Sequence, residues 1–202
     1  MPRADAGAGV GLRRAGRLCA LTVAWNTTVG GAAVLTALAA GSLSLIGFGI
    51  NAVVDSLASA VLVWRFRAEL RGHAERAHQA ELLALRLAAG AFLVIAVYLL
   101  VQGVRSLSLG RDFKSTAFGI AEAAASLLVL PVLASAKFSL SERLASRALR
   151  ADSLLTWSGV GLAALAFAAL IAQSLFGWWW ADPLGAFAIA ALLAWQGVRA
   201  LR

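Results

Sequence analysis

Charged residues are scarce in this 202-residue chain: 14% are Asp, Glu, Lys or Arg, against about 25% in a typical soluble domain. So few ionic groups leave more apolar surface than water can solvate, which excludes an ordinary soluble fold. Cysteine is scarcer still. Cys19 stands alone, so neither a disulfide framework nor a thiolate metal cluster can form within one chain. The two histidines, His73 and His78, share a polar, strongly charged stretch and read as solvated side chains with at most weak attraction for metal. No histidine therefore falls inside an apolar run. That removes the serine–histidine pair of an intramembrane hydrolase and a histidine–cysteine zinc site within a membrane. A glycine-rich phosphate loop is also missing, and the chain is not expected to be an enzyme.

What the chain does have is apolar length. Hydrophobic residues make up 61%, the mean hydropathy is +0.82, and a membrane-spanning helix takes about 20 residues. The sequence predicts an all-α polytopic membrane protein, a bundle of six transmembrane helices with the lipid bilayer as its main partner. The first apolar run, residues 19–40, follows Arg13, Arg14 and Arg17. It exceeds the roughly 7–15 residues of a signal-peptide core and reads as a retained span. A short basic segment, residues 1–17, thus precedes a transmembrane domain covering residues 18–202. Further spans are expected at 43–64, 82–104, 116–136, 151–174 and 183–198, with a cytoplasmic loop at about 65–81. Ser139 followed by Glu142 is a capping-box pattern, which predicts that the fifth helix begins there and leaves Lys137 in the preceding inner loop. Asp182-Pro183 reads as an N-cap followed by proline at the first helical position. Trp178, Trp179 and Trp180 fit an interfacial aromatic belt.

The net charge of +8 and the pI of about 11.4 would suggest a nucleic-acid partner in a soluble protein. Here the basic residues, apart from Arg86 near the inner end of the third span where it can snorkel to the headgroups, fall between the spans, so they read as a topology signal, and no nucleic acid is expected. Arg3, Arg13, Arg14 and Arg17, then Arg65, Arg67, Arg71 and Arg76, then Lys137, Arg143, Arg147 and Arg150, then Arg199 and Arg202 lie on one side. Only Arg105, Arg111 and Lys114 lie on the other. The bias predicts that both termini are cytoplasmic in a multi-pass protein of the cell membrane.

A carboxylate at mid-membrane costs at least about 2.5–3.5 kcal/mol on insertion scales, so each one is a candidate for function. Asn51 and Asp55, four apart in the second span, share a face. Gly47, Gly49, Ala52 and Ser56 around them allow close helix contact. Such an oxygen-bearing pair can hold a hard or borderline cation, or it can join helices by hydrogen bonds. Asp152 and Thr156 repeat the spacing near the inner end of the fifth span. Asp152 has a second reading there, as a first-turn acid that complements the helix dipole. With these boundaries, Asp55 and Asp152 differ in level by roughly 12 Å at about 1.5 Å per residue. Glu122, in the outer half of the fourth span, either lines a pathway or pairs with Arg105, Arg111 or Lys114; the pair is the expectation.

Three stretches resemble the cation diffusion facilitator family of metal-ion transporters, in a short subgroup lacking the carboxyl-terminal cytoplasmic domain. Gly41 to Arg67 (GSLSLIGFGINAVVDSLASAVLVWRFR) is similar to that family's second helix, with a small-residue start, polar residues four apart and an arginine-rich exit. Leu130 to Gly159 resembles the approach to the fifth helix, where a lysine, a serine and an AL-x-AD run precede the ligands. Phe176 to Leu201 looks like the sixth helix. The resemblance implies export of divalent metal ions (zinc, cobalt, iron or manganese) by proton antiport and alternating access, in a homodimer. The metal is substrate, and no permanently bound cofactor is implied. Asn51 and Asp55 fall on the two ligand positions of the second helix. Leu155 and Gly159 fall on those of the fifth, and neither side chain can ligate.

The residues expected to contact metal are accordingly Asn51, Asp55, Asp152 and Thr156. Asp55 would be the main ligand with Asn51 assisting, and Asp152 and Thr156 would form an inner access or secondary site. Protonation of Asp55 would then compete with metal. The alternative is a non-transporting membrane scaffold or regulatory subunit of the same fold with a degenerate metal site. Loss of both fifth-helix ligands favours the scaffold. Retention of two buried aspartates favours the transporter.

Overall fold

The computed structural model describes the backbone of residues 2–69, 74–110 and 116–201, and the side chains of residues 10–68, 89–90, 92–110 and 116–199. His73 and the side chains of His78, Arg71, Arg76, Arg111 and Lys114 lie outside the described residues. The described chain is helical, with no strand: α1 (Pro2–Trp25), a π-helical turn (Asn26–Gly30), α2 (Gly31–Ala40), α3 (Leu43–Glu69), α4 (Ala74–Leu109), α5 (Ala117–Arg143), α6 (Arg147–Phe176) and α7 (Ala181–Leu201). Among these residues, six helices are long and apolar enough to cross a membrane, the first of them formed by α1, the π turn and α2 together. The expected loop at 65–81 is taken up by the ends of α3 and α4, and only its middle lies outside the described residues.

Helix α3 runs through the middle of the bundle, against α1, α2, α4, α6 and α7. Its sequence explains why it can. Small residues face its neighbours, so backbones approach closely. A Cβ on Gly49 would stand 2.9 Å from the Gly30 carbonyl oxygen and 2.8 Å from Val34 Cγ2, and one on Gly30 would stand 2.6 Å from Ala52 Cβ. A substitution there must push the π turn away from α3. We expect Gly49→Val to lower stability by about 1–3 kcal/mol, the usual cost of overpacking a tight contact, measured as an earlier thermal transition in detergent. An unchanged transition would mean that the two backbones are not held together there.

At one end of the bundle, α2 stops at Gly41, whose φ of +76° suits glycine, and α3 starts two residues later. So tight a turn leaves the first amides of α3 without partners. Asp182 supplies them. Its carboxylate accepts from Ser42 Oγ at 2.7 Å, the Leu43 amide at 2.6 Å and the Ser44 amide at 3.1 Å, and the Ser44 hydroxyl donates back to the Asp182 carbonyl oxygen at 2.8 Å. Asp182 was expected to cap its own helix. Instead α7 already begins at Ala181, and the carboxylate caps α3 from across the bundle. The residue is 1% exposed, so Asp182→Ala is expected to cost about 1–3 kcal/mol through unsatisfied buried donors, again measurable by thermal unfolding. Nearby, Phe176, Trp178 and Trp180 form a stack on the surface, with ring centroids 5.0 and 4.9 Å apart.

The largest departure from the expected boundaries is between the fourth and fifth spans. The Ser139–Glu142 pattern does not start a helix. Helix α5 continues through Pro131 to Arg143, and the hydroxyls of Ser135 and Ser139 fold back onto the carbonyls of Pro131 and Ser135 at 2.6 and 2.9 Å. Polar residues that satisfy themselves on their own backbone need no water. The true cap is Ser146, which accepts from the Leu149 amide at 3.4 Å after a turn through Ala145. The extension carries Lys137 into the bundle, so it does not belong with the loop cations that set topology.

Candidate functional site

The centre of the bundle contains a chain of buried polar groups drawn from α1, α3, α5 and α6. Helix α5 contributes Lys137, fully buried. Its ammonium group lies 2.6 Å from Asp152 Oδ2 and donates to Ser59 Oγ and Thr156 Oγ1, both at 3.1 Å. Three acceptors thus meet the three N–H groups of one ammonium ion. Asp152, on α6, accepts from Ser59 Oγ at 2.8 Å through its other oxygen, and the Cys19 thiol of α1 approaches Oδ2 at 3.7 Å. Ser59 therefore donates to the carboxylate and accepts from the ammonium.

Thr156, one turn along α6 from Asp152, links this group to Asp55 on α3. Its hydroxyl lies 3.1 Å from the Asp152 carbonyl oxygen and 3.4 Å from Asp55 Oδ2. Asp55 Oδ2 also accepts from Asn26 Nδ2 at 2.8 Å. Asn26 opens the π turn, where the extra residue per turn rotates the amide toward α3. Thr27 in the same turn bonds to Ser56 at 2.8 Å. Asp55 Oδ1 has no hydrogen-bond partner among the described residues. Asp55, Asp152, Lys137 and Thr156 are all 3% exposed or less.

Three of the four residues expected at the site, Asp55, Asp152 and Thr156, come together. The fourth, Asn51, does not join the hydrogen-bonded chain. It is buried one turn away on α3, with Nδ2 3.6 Å from where a Cβ on Gly159 would stand. The expected 12 Å difference in level is corrected as well. Asp152 bonds to Ser59, which lies one turn from Asp55, so the two carboxylates are offset by about one 5.4 Å turn. Asp152 is not a solvated first-turn acid: it is 2% exposed and paired.

Lys137 was missed because its flanking serines and its distance beyond Pro131 read as a helix end. One signal was present. Lys137 is one of two lysines in a chain whose other basic residues are all arginine. Asn26, Ser59 and Cys19 were missed because nothing in a single polar or small residue announces its partner. Glu122 is buried in α5, where the Thr36 hydroxyl of α2 approaches its carboxylate without closing a well-formed hydrogen bond. The expected ion pair with Arg105 is not formed, and Arg111 and Lys114 lie outside the described residues.

Chemically, the arrangement is an oxygen cage around a cation, and the cation is the protein's own ammonium group. With every group ionised, Asp55, Lys137 and Asp152 together carry one net negative charge. Among the described residues, no group of three or more histidine, cysteine, aspartate or glutamate side chains is placed to hold a metal ion. No protein-family model and no curated protein matches the chain.

Proposed function

We propose that this chain is a multi-pass transporter of the cell membrane that exports divalent metal cations from the cytoplasm in exchange for protons, with Lys137 as the resting occupant of its cation position. Support comes from the convergence of oxygens from Asp152, Ser59 and Thr156 on one buried positive nitrogen, with Asp55 joined through Thr156. Two membrane-buried carboxylates are costly unless something uses them, and the cage offers oxygen donors, the kind that hard and borderline cations prefer. The resemblance of the second and fifth spans to cation diffusion facilitators supports the same reading, as does the excess of arginine on the side taken as cytoplasmic. Both termini are then cytoplasmic, and the transporter works as a homodimer.

Charge balance gives the exchange a definite form. With a proton on Asp55 and another on Lys137, and Asp152 ionised, the site is neutral. When a divalent ion enters, both protons leave, Lys137 becomes a neutral amine and both aspartates are ionised; the site is neutral again. One divalent ion therefore trades for two protons without net charge movement. Asp55 Oδ1, without a hydrogen-bond partner among the described residues, is the atom available to hold the first proton.

Purified protein should bind zinc, cobalt, iron(II) or manganese saturably, and more tightly as the pH is raised, because protons compete for the same groups. Absence of saturable binding of all four ions across the pH range would remove the transport reading. A second reading, a non-transporting scaffold or regulatory subunit, is favoured by one observation: all three N–H groups of Lys137 are satisfied within the cage. On that reading the ammonium group is a permanent structural ion.

A further inference from the structure

A second charged feature lies away from the central chain, between α1 and α3. A groove of about 230 Å³ is bounded by Arg13, Arg17 and Ala20 on α1 and by Val63, Phe66 and Arg67 on α3. The two helices run antiparallel here, since Asn26 meets Asp55 while residues 13–20 of α1 face residues 63–67 of α3, so Ala20 and Val63 lie nearer the middle of the spans and Arg13 and Arg67 lie at the mouth. The groove is apolar at depth and cationic at its opening. The three arginines are exposed, and no carboxylate among the described residues pairs with them.

Guanidinium groups around one opening offer the charge and the forked donors that phosphate oxygens accept. The apolar floor beneath them has nothing to offer a free anion and suits a hydrocarbon chain. The mouth also falls at the basic end of the bundle, the end taken as cytoplasmic, where an anionic leaflet attracts arginine. We infer that this groove is a binding site for an anionic phospholipid, with the phosphate at Arg13, Arg17 and Arg67 and an acyl chain along Ala20, Val63 and Phe66. The site rests on the proposed orientation in the membrane and not on metal transport. Because α1 carries Cys19 and Asn26 and α3 carries Asp55 and Ser59, a lipid seated between them braces the two helices that flank the central chain.

The test is native mass spectrometry of the full chain in detergent, titrated with phosphatidylglycerol, phosphatidylcholine or inorganic phosphate. Wild type is expected to bind one phosphatidylglycerol in preference to phosphatidylcholine, with no displacement by inorganic phosphate. The R17A/R67A variant should bind phosphatidylglycerol about thirtyfold more weakly, the effect of removing two basic groups near a charged surface. The R17K/R67K variant keeps the charge and should retain most of the binding. Equal binding of the two lipids, or unchanged phosphatidylglycerol binding in R17A/R67A, would overturn the site. Displacement by inorganic phosphate would overturn it as a lipid site. Equal loss in the alanine and lysine variants would assign the effect to packing and overturn it too. None of these readouts depends on metal, so the lipid site and the cation reading fail separately.

Discussion

Lys137→Ala is expected to destabilise the protein strongly and, at the same time, to make its stability depend on divalent cations. Removing one partner of a buried ion pair typically costs about 3–5 kcal/mol, because the other charge stays buried without compensation. Here the stranded group is Asp152, 2% exposed, which keeps only the Ser59 hydroxyl and the distant Cys19 thiol as donors. With the lysine side chain gone, Asp152, Ser59, Thr156 and Asp55 surround an unfilled position that carries two negative charges once Asp55 gives up its proton. A divalent cation should then enter. At a free concentration a hundred times its dissociation constant it would restore about 2.7 kcal/mol. Thermal unfolding in detergent with and without added zinc, cobalt or manganese measures both effects. A variant as stable as wild type, or one that cations do not rescue, would mean that these oxygens do not form a cation cage.

Asp55→Asn should separate function from stability in the opposite sense. The substitution keeps the side chain's shape and its place beside Asn26, and fixes it in a neutral form like the protonated resting Asp55, whose Oδ1 has no hydrogen-bond partner among the described residues. Stability should therefore hold at about the wild-type level, since a neutral amide replaces a neutral acid and no ion is newly buried. Metal transport should fall about 10- to 100-fold, comparable with losing the roughly 1.5–3 kcal/mol of an interaction with a charged group. On the scaffold reading the same variant is silent. Near-normal metal flux through Asp55→Asn would remove this carboxylate from the mechanism.

The six long apolar helices were legible because composition alone reports them: a run of about twenty apolar residues has few other uses. Asp55, Asp152 and Thr156 were legible because a polar group in such a run stands out against its neighbours. What joins them was not. Lys137 lies where Pro131, Ser135, Ser139 and Glu142 together resemble a helix end, yet the serines bond to carbonyls of their own helix and α5 runs on to Arg143. That one boundary moved a cation from the presumed loop to the centre of the bundle. It also cut the apparent offset between the aspartates from roughly 12 Å to about one 5.4 Å turn. The contribution of Asn26 depends on a π turn, a change in helical pitch that no residue pattern near Asn26 demands. Asp182 shows the same limit at the end of α7: its N-cap chemistry was readable, but the helix it caps is α3.

The pairing of Lys137 with Asp152 separates two uses of a buried ion pair. Where such a pair is only structural, replacing both members by apolar residues of similar volume is often neutral or stabilising. A Lys137→Met/Asp152→Leu variant that folds well and still carries metal would be at odds with any role for the cage in transport.

The most direct measurement is metal–proton exchange in proteoliposomes holding the purified wild-type chain, with a metal-sensitive dye inside and a pH electrode or dye reporting protons. Zinc, cobalt, iron(II) or manganese should cross in the presence of a pH gradient, with two protons moving the other way for each ion and no membrane potential developing. The absence of flux for all four ions, from protein that is folded and inserted, would contradict the account and leave Lys137 as a fixed structural ion in a six-helix scaffold.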